Sequence, residues 1–260
     1  MRQTLLFGGL ESIRRNINRK AANLKFFEVG NTYKYEKEKW SEENPIKAYQ
    51  QEYHLALWIT GKRVQGSWAH ADEESSFYEL KANVENILRR IGIAQNALTT
   101  EASDNNIFDK ALTLKTRGGK TIVEMGILSH KLLKKMDIAQ TVFYADIHWT
   151  NLMKAIRKNK LQFQELSKYP SVSRDLALLL DSNIEFAQIE EIARQTEKKL
   201  LKKVELFDVY EGKNLPEGKK SYAVNFILQD ETKTLNDKAI DAIMQKLIKN
   251  ITTKLGAELR

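Results

Sequence analysis

The sequence predicts an α+β chain in two parts: an antiparallel or mixed sheet with flanking helices, then a smaller unit whose elements run β-α-β-β-α-β. Three observations carry this reading. A glycine-centred hairpin signal lies in the first part, where strand-like and helix-like segments are interspersed. After Pro170 the apolar period switches cleanly between two and 3.6 residues, in the order strand, helix, strand, strand, helix, strand. The length of 260 residues accommodates two domains at roughly 100 to 200 residues each.

Taken in order, Leu6, Leu10, Ile13 and Ile17 share a stripe on an opening helix. Its apolar start, "LLFGGL", is too short for a secretory core, lacks a small-residue cleavage site, and runs at once into Glu11, Arg14 and Arg15. It therefore reads as an amphipathic structural helix. "LKFFEVGNTYKY" is a strand and "EKEKWSEENPIKAYQ" a charged loop. "EYHLALWITG" is a second strand that alternates Leu55, Leu57 and Ile59 against His54, Ala56 and Trp58. Leu80, Val84, Ile87, Leu88 and Ile91 line a helix that stops at Gly92. "ALTLKTRGGKTIVEMGIL" folds back at Gly118-Gly119, where glycine accepts the positive φ of a tight hairpin. "SHKLLKKMDI" is a short helix, "TVFYADI" a strand, and "TNLMKAI" a helical segment with Thr150 as the expected cap.

Charge rises and proline interrupts around "RKNKLQFQELSKYPSVS", which marks the expected boundary. "SRDLALLLD" is the next strand. Ser182 and Glu185 have capping-box spacing ahead of a helix carrying Phe186, Ile189, Ile192 and Ala193. "VELFDVY" and "KSYAVNFILQD" are strands joined by the turn "EGKNLPEGK". Asn236 caps a last helix bearing Ile240, Ile243, Met244, Leu247, Ile251 and Leu255, and "AELR" closes as a short strand. This order is the ferredoxin-like split βαβ unit.

Composition narrows the function classes. Apolar residues at 42% and charged residues at 29% describe an ordinary folded chain, and no apolar run approaches the ~20 residues of a spanning helix. The absence of cysteine excludes disulfides and thiolate zinc sites and is consistent with a cytoplasmic setting. A formal charge of +8 and a pI near 9.3 tilt the partner towards a polyanion without deciding it.

One stretch departs from plain strand chemistry. Alternation in "VELFDVY" groups Val204, Leu206, Asp208 and Tyr210 on one face, with Phe207 and Val209 opposite. In the next strand Tyr222, Val224, Phe226 and Leu228 are uniformly apolar, opposite Ser221, Ala223, Asn225 and Gln229. A ferredoxin-like sheet carries both helices on one side, so Asp208, Tyr210, Ser221 and Asn225 are expected to share the uncovered side. An aromatic platform beside a carboxylate suits an unpaired base, with lysines such as Lys213, Lys219 and Lys220 to neutralise phosphate. From the pattern alone, a plain solvated face with a charged rim is the more economical reading.

The motifs "YPSVSRDLALLLD", "LFDVYEGKNLPEGKKSYAVNFILQDETKTLND" and "LGAELR" resemble the ferredoxin-fold anticodon-binding domain that ends the β subunit of bacterial phenylalanyl-tRNA synthetases. "MRQTLLFGGLESIRRNINRK", "LKFFEVGNTY", "FYELKANVENIL", "EMGILSHKLL" and "VFYADI" are similar to the preceding module of that subunit, a class II synthetase-like antiparallel sheet that has lost catalysis. The resemblance implies a catalytic-like module over 1–160 and an anticodon-binding domain over 168–260, in a segment of a longer subunit. It also implies a catalytic α subunit as partner in a heterotetramer of two α and two β subunits. Further implications are tRNA-Phe as ligand, ATP and Mg in the holoenzyme with no cofactor in this part, and no membrane association. Carried over residue by residue, the contacts to an anticodon guanine fall on Asp208, Tyr210, Ser221 and Ala177, with Asn225, Lys219 and Lys220 as further RNA contacts. One departure is plain: the family's His-Pro-Gly-Arg-like segment is replaced here by "NNIFDKALTL", residues 105–114.

Other chemistries find little support. A class II site needs a phosphate-binding arginine and a glycine-rich third motif; Glu28 has no arginine partner in its strand and nothing glycine-rich follows "VFYADIHW", so no catalytic residue is expected. "RGGKT" lacks the leading glycine of a phosphate loop, because residue 114 is Leu114. His54, His70, His130 and His148 are far apart in sequence with no His-x-x-x-His pair, so no metal is expected. The alternatives to the synthetase reading are a stand-alone ferredoxin-like module that binds RNA or a small molecule, and a free-standing enzyme.

Overall fold

The computed structural model describes every residue except 94–96, 158–164 and 166. It divides into two compact units, Met1–Gln162 and Phe163–Arg260. The segment expected to join the two parts lies largely outside the described residues.

The first unit contains α1 (Leu6–Asn18), β1 (Leu24–Tyr35), β2 (Tyr49–Thr60), a small ribbon of β3 (Lys62–Val64) and β4 (Glu73–Glu74), then α2 (Phe77–Arg90) and β5 (Leu98–Ala102). It continues with β6 (Phe108–Thr116), β7 (Thr121–Leu128), α3 (His130–Lys135), β8 (Val142–His148) and α4 (Trp149–Ile156). Six strands form one sheet in the order β1-β2-β8-β7-β6-β5, and every neighbouring pair is antiparallel. Where the sequence allowed a mixed sheet, the register is purely antiparallel.

Both faces of this sheet are covered, which explains why alternate residues of β2 are all bulky or small rather than apolar against polar. Leu55, Ile59, Phe143 and Ile147 pack with Leu80, Val84 and Leu88 of α2 and with Leu152 of α4. On the other side Ala56, Trp58 and Tyr144 pack with Leu6, Leu10 and Ile13 of α1 and with Leu133 of α3. Trp58 fits only because α1 passes over it at Gly9, where a Cβ would stand 2.2 Å from the indole. Ser76 caps α2 by accepting the Glu79 N–H, and the β6–β7 hairpin turns at Gly119 with φ of 78°. Thr150 does not cap α4. The N-cap is His148, with no side-chain bond, and the Thr150 hydroxyl instead accepts the Tyr53 N–H at 2.9 Å, tying α4 to β2.

The second unit contains β9 (Val172–Asp181), α5 (Phe186–Thr196), β10 (Leu201–Tyr210), β11 (Lys219–Leu228), α6 (Asp237–Leu255) and β12 (Glu258–Leu259). Its sheet order is β10-β11-β9-β12, all antiparallel, the ferredoxin-like arrangement. Leu178, Leu180, Val224, Phe226 and Leu228 face Ile189 and Ile192 of α5 and Ile240, Leu247 and Ile251 of α6. Both helices therefore cover one side and leave the other uncovered. Asn236 caps α6 as expected, accepting the Ala239 N–H at 2.9 Å. The cap of α5 differs from expectation: Glu185, not Ser182, is the N-cap, and it forms a capping box with Gln188, whose side chain accepts the Glu185 N–H at 2.8 Å. Among the described residues no helix is long and apolar enough to cross a membrane.

Candidate functional site

The uncovered side of the second sheet is organised by one irregularity. Val204 pairs with Phe226 and Leu206 with Val224, but the next pairs are Asp208 with Ala223 and Tyr210 with Ser221. Two residues of β10 thus oppose one step of β11, a β-bulge at Phe207. Residues directly opposite in an antiparallel pair share a face. Val204 and Leu206 therefore go to the core with Phe226 and Val224, whereas Asp208 and Tyr210 turn to the uncovered side with Ala223 and Ser221. Strict alternation, which joins Val204 and Leu206 to Asp208 and Tyr210, is corrected here: the bulge reverses the parity of β10 at Phe207.

The register extends across the sheet. Ser221 pairs with Leu179, Ala223 with Ala177 and Asn225 with Asp175, and Glu258 of β12 pairs with Leu179. One row therefore reads Tyr210, Ser221, Leu179, Glu258, and the adjacent row Asp208, Ala223, Ala177. With strands about 4.8 Å apart, the methyl groups of Ala223 and Ala177 make a flat floor beside Asp208. Asp208 is exposed, Tyr210 is 37% exposed and Ser221 is buried. Tyr210 is held at its outer end by Gly212, where a Cβ would lie 2.5 Å from the phenol oxygen.

The structure adds Arg260, which the sequence analysis did not single out. Its N–H donates to the Ala177 carbonyl at 3.1 Å, and its guanidinium carbon lies 5.8 Å from the Tyr210 ring centroid, within cation–π range. The signal was the closing "AELR" segment: once β12 pairs with β9, the residue that follows it, opposite Ala177, falls over the same face.

The secondary candidates separate. Asn225 lies on the uncovered side, but its amide already donates to Asp175 at 2.5 Å and to the Ser173 hydroxyl, leaving its carbonyl oxygen for a ligand. Lys219 is ion-paired with Asp181 at 3.0 Å. Lys220 does not join the group, because alternation sends it to the helix side opposite Leu180, where it is buried with its ammonium 4.7 Å from the Tyr222 ring centroid. Asp175, Asp208 and Glu258 place carboxylates on the uncovered face, where Glu205 is ion-paired with Lys203. Such a face accepts hydrogen bonds from the donor edge of a base, and Tyr210 and Arg260 offer planes for stacking.

The first unit holds a second polar group. Glu28 finds an arginine outside its own strand, pairing with Arg2 from the segment ahead of α1. Further along the same sheet, His54 of β2 pairs in register with His148 of β8, and Asp146 lies two residues back on β8. The His54 Nδ1 is 2.7 Å from Asp146 Oδ1, and Glu52 faces both imidazoles. Burial alone would lower the His54 pKa, but the Asp146 hydrogen bond and the charges of Asp146 and Glu52 outweigh it and hold the pKa above 6.5. For His148 burial dominates over the attraction of Asp146, and its pKa lies below 6.5.

Comparison with known proteins bears on both units. Residues 1–149 match the family model described as "Phenylalanyl tRNA synthetase beta chain CLM domain", and residues 167–260 match "Ferredoxin-fold anticodon binding domain". The phenylalanine–tRNA ligase beta subunit of Bacteroides thetaiotaomicron is 60% identical over 260 residues, all of this chain and 32% of that protein. The Porphyromonas gingivalis beta subunit is 50% identical over the same span, again 32% of its length. The chain thus spans about a third of the length of these curated relatives. Among solved structures, pyrrolysyl-tRNA synthetase from Desulfitobacterium hafniense overlays with a TM-score of 0.42 at 13% identity, covering 63% of this chain and 55% of that one. With one model matching more than half of its residues and a second matching the ferredoxin-like unit, the chain belongs to the phenylalanyl-tRNA synthetase beta-chain family.

Proposed function

We propose that the chain serves as a noncatalytic part of a phenylalanine–tRNA ligase: its first unit, 1–160, is a scaffold for a catalytic α subunit, and its second, 168–260, recognises the tRNA-Phe anticodon. In this reading ATP and Mg act on the α subunit during esterification of phenylalanine onto tRNA, within an assembly of two α and two β subunits. Asp208 accepts hydrogen bonds from the N1/N2 edge of an anticodon guanine, Tyr210 stacks, the Ser221 hydroxyl fixes the base edge, and Ala177 supplies the flat floor.

The single observation that carries this reading is the bulge at Phe207, which brings Asp208 and Tyr210 to the same side as Ser221 and Ala177. A plain solvated face has no need of an aromatic pinned between a glycine and a guanidinium. Support for the scaffold role comes from the edge strand β1, where Phe27 is 74% exposed and Val29 46%. An exposed apolar edge of this kind fits a partner surface.

Asp208→Ala tests the anticodon reading. Binding of tRNA-Phe is measured by filter retention, with circular dichroism to verify the fold. A fall of about tenfold or more, in the range of one lost charge-assisted hydrogen bond, is expected. Unaltered tRNA binding by a folded variant returns the face to a module for some other ligand.

A further inference from the structure

The polar group at the β2–β8 end has features that the synthetase reading does not use. Three potential ligand atoms converge there, one each from Glu52, His54 and His148, all within 4.8 Å of one another. Glu52 Oε2 is 3.6 Å from His54 Nε2 and 3.9 Å from His148 Nδ1. A tetrahedral ion with ligand bonds near 2.1 Å spaces its donors about 3.4 Å apart, so the two Glu52 edges, at 3.6 and 3.9 Å, are within a fraction of an ångström of that spacing, and the third edge, bounded at 4.8 Å, closes by rotation of the His148 side chain.

The orientation of His54 is the second, independent observation. Its side chain is only 6% exposed, and Asp146 engages Nδ1 at 2.7 Å, so Nε2 is turned towards Glu52 and His148. A carboxylate behind the non-ligating nitrogen is the arrangement that fixes the tautomer and raises the basicity of a metal-bound histidine. The backbone makes this placement rigid, since His54 and His148 sit opposite each other on paired central strands. In front of the three side chains is a polar hollow of about 840 Å³, also lined by Gln3, Tyr33, Lys34 and Gln50, which leaves room for a water as fourth ligand.

We propose that Glu52, His54 and His148 form a binding site for a zinc-class divalent cation, with Asp146 orienting His54 and one coordination position open to the hollow. Two imidazoles and one carboxylate suit zinc over the harder magnesium or calcium, which favour oxygen-only shells. Sequence spacing predicts no metal, because these histidines are brought together only by the β2–β8 pairing. The ion would pin the ends of the two strands.

The test uses the chain without an affinity tag, titrated with zinc chloride by calorimetry and with cobalt chloride by visible absorption. Expected are one equivalent bound per chain, tetrahedral d–d bands in the cobalt form, and affinity at least tenfold weaker in Glu52→Gln and in His148→Ala. Both variants alter groups more exposed than His54, and circular dichroism verifies their fold. Absence of saturable binding overturns the site. Binding that survives both substitutions also overturns it, since it then belongs to other groups such as His70 or His130.

Discussion

Deleting Phe207 is the sharpest test of how the second unit presents its uncovered face. The pairing runs from Leu206 opposite Val224 directly to Asp208 opposite Ala223, so Phe207 is the extra residue and its removal leaves every other pair in place. Phe207 is 59% exposed, so roughly two-fifths of a side chain that buries ~200 Å² in full is covered. At ~25 cal/mol per Å² the loss is about 2 kcal/mol, offset by about 1 kcal/mol if the closed ladder gains a hydrogen bond. The net cost is therefore about 1 to 2 kcal/mol, and the urea midpoint should move only modestly. Amide contacts between Asp208 and Ala223, read by NMR, should persist. If β10 instead ran without a bulge, Asp208 would pair with Tyr222 under α5 and α6 in the intact chain, and deletion would shift every later pair by one residue. Loss of folding, or loss of the Asp208–Ala223 contact, would refute the reasoning.

Two other perturbations separate the contributions of the two units. Gly212→Ala places a methyl group 2.5 Å from the Tyr210 ring end, so the ring must leave its seat while the core is untouched; tRNA-Phe affinity should drop about five- to tenfold, at the low end of the ~1–3 kcal/mol of a base–aromatic stack, with the melting temperature unchanged. Phe27→Glu puts a charge on the exposed edge of β1, beside a 540 Å³ apolar groove lined by Leu57, Ile87 and Ile91. Co-purification with a phenylalanine–tRNA ligase α subunit should weaken by tenfold or more, and an unchanged yield of complex would remove this edge from the scaffold role.

Much of the architecture follows from local chemistry that sequence reveals. The stripe of Leu80, Val84 and Leu88, the Asn236 cap and the Gly119 turn are all decided within a few residues, and the structure agrees with them. What escaped the sequence depends on pairing. The bulge at Phe207 leaves no compositional mark, because the residue is an ordinary strand former and only the partner strand reveals that it is unpaired. The β5 strand, "LTTEA", is an edge with three polar residues in a row between Leu98 and Ala102 and so has no alternation to detect. The α5 cap lies at Glu185 because the helix starts at Phe186, so the free backbone donor to be capped belongs to Gln188, three residues beyond Glu185 and out of reach of Ser182. His54 and His148 are neighbours only through the register of β2 with β8.

The charge distribution separates attraction from recognition. The chain carries +8, yet Asp175, Asp208 and Glu258 stand on the uncovered face and Glu205 there is ion-paired with Lys203, so in the anticodon reading proposed above general attraction to RNA and base recognition by this face are separable. Asp208→Asn tests this division, since it keeps the size of the side chain, removes one negative charge and replaces one acceptor oxygen with a donor amide. Affinity for unrelated RNA should hold or rise slightly, because a repulsive charge is gone. Affinity for tRNA-Phe should fall about tenfold, because an amide donor now meets the donor edge of the guanine. A parallel fall for both RNAs would mean that Asp208 acts through the fold rather than by reading a base; a parallel rise would mean that phosphate contact alone governs binding on this face.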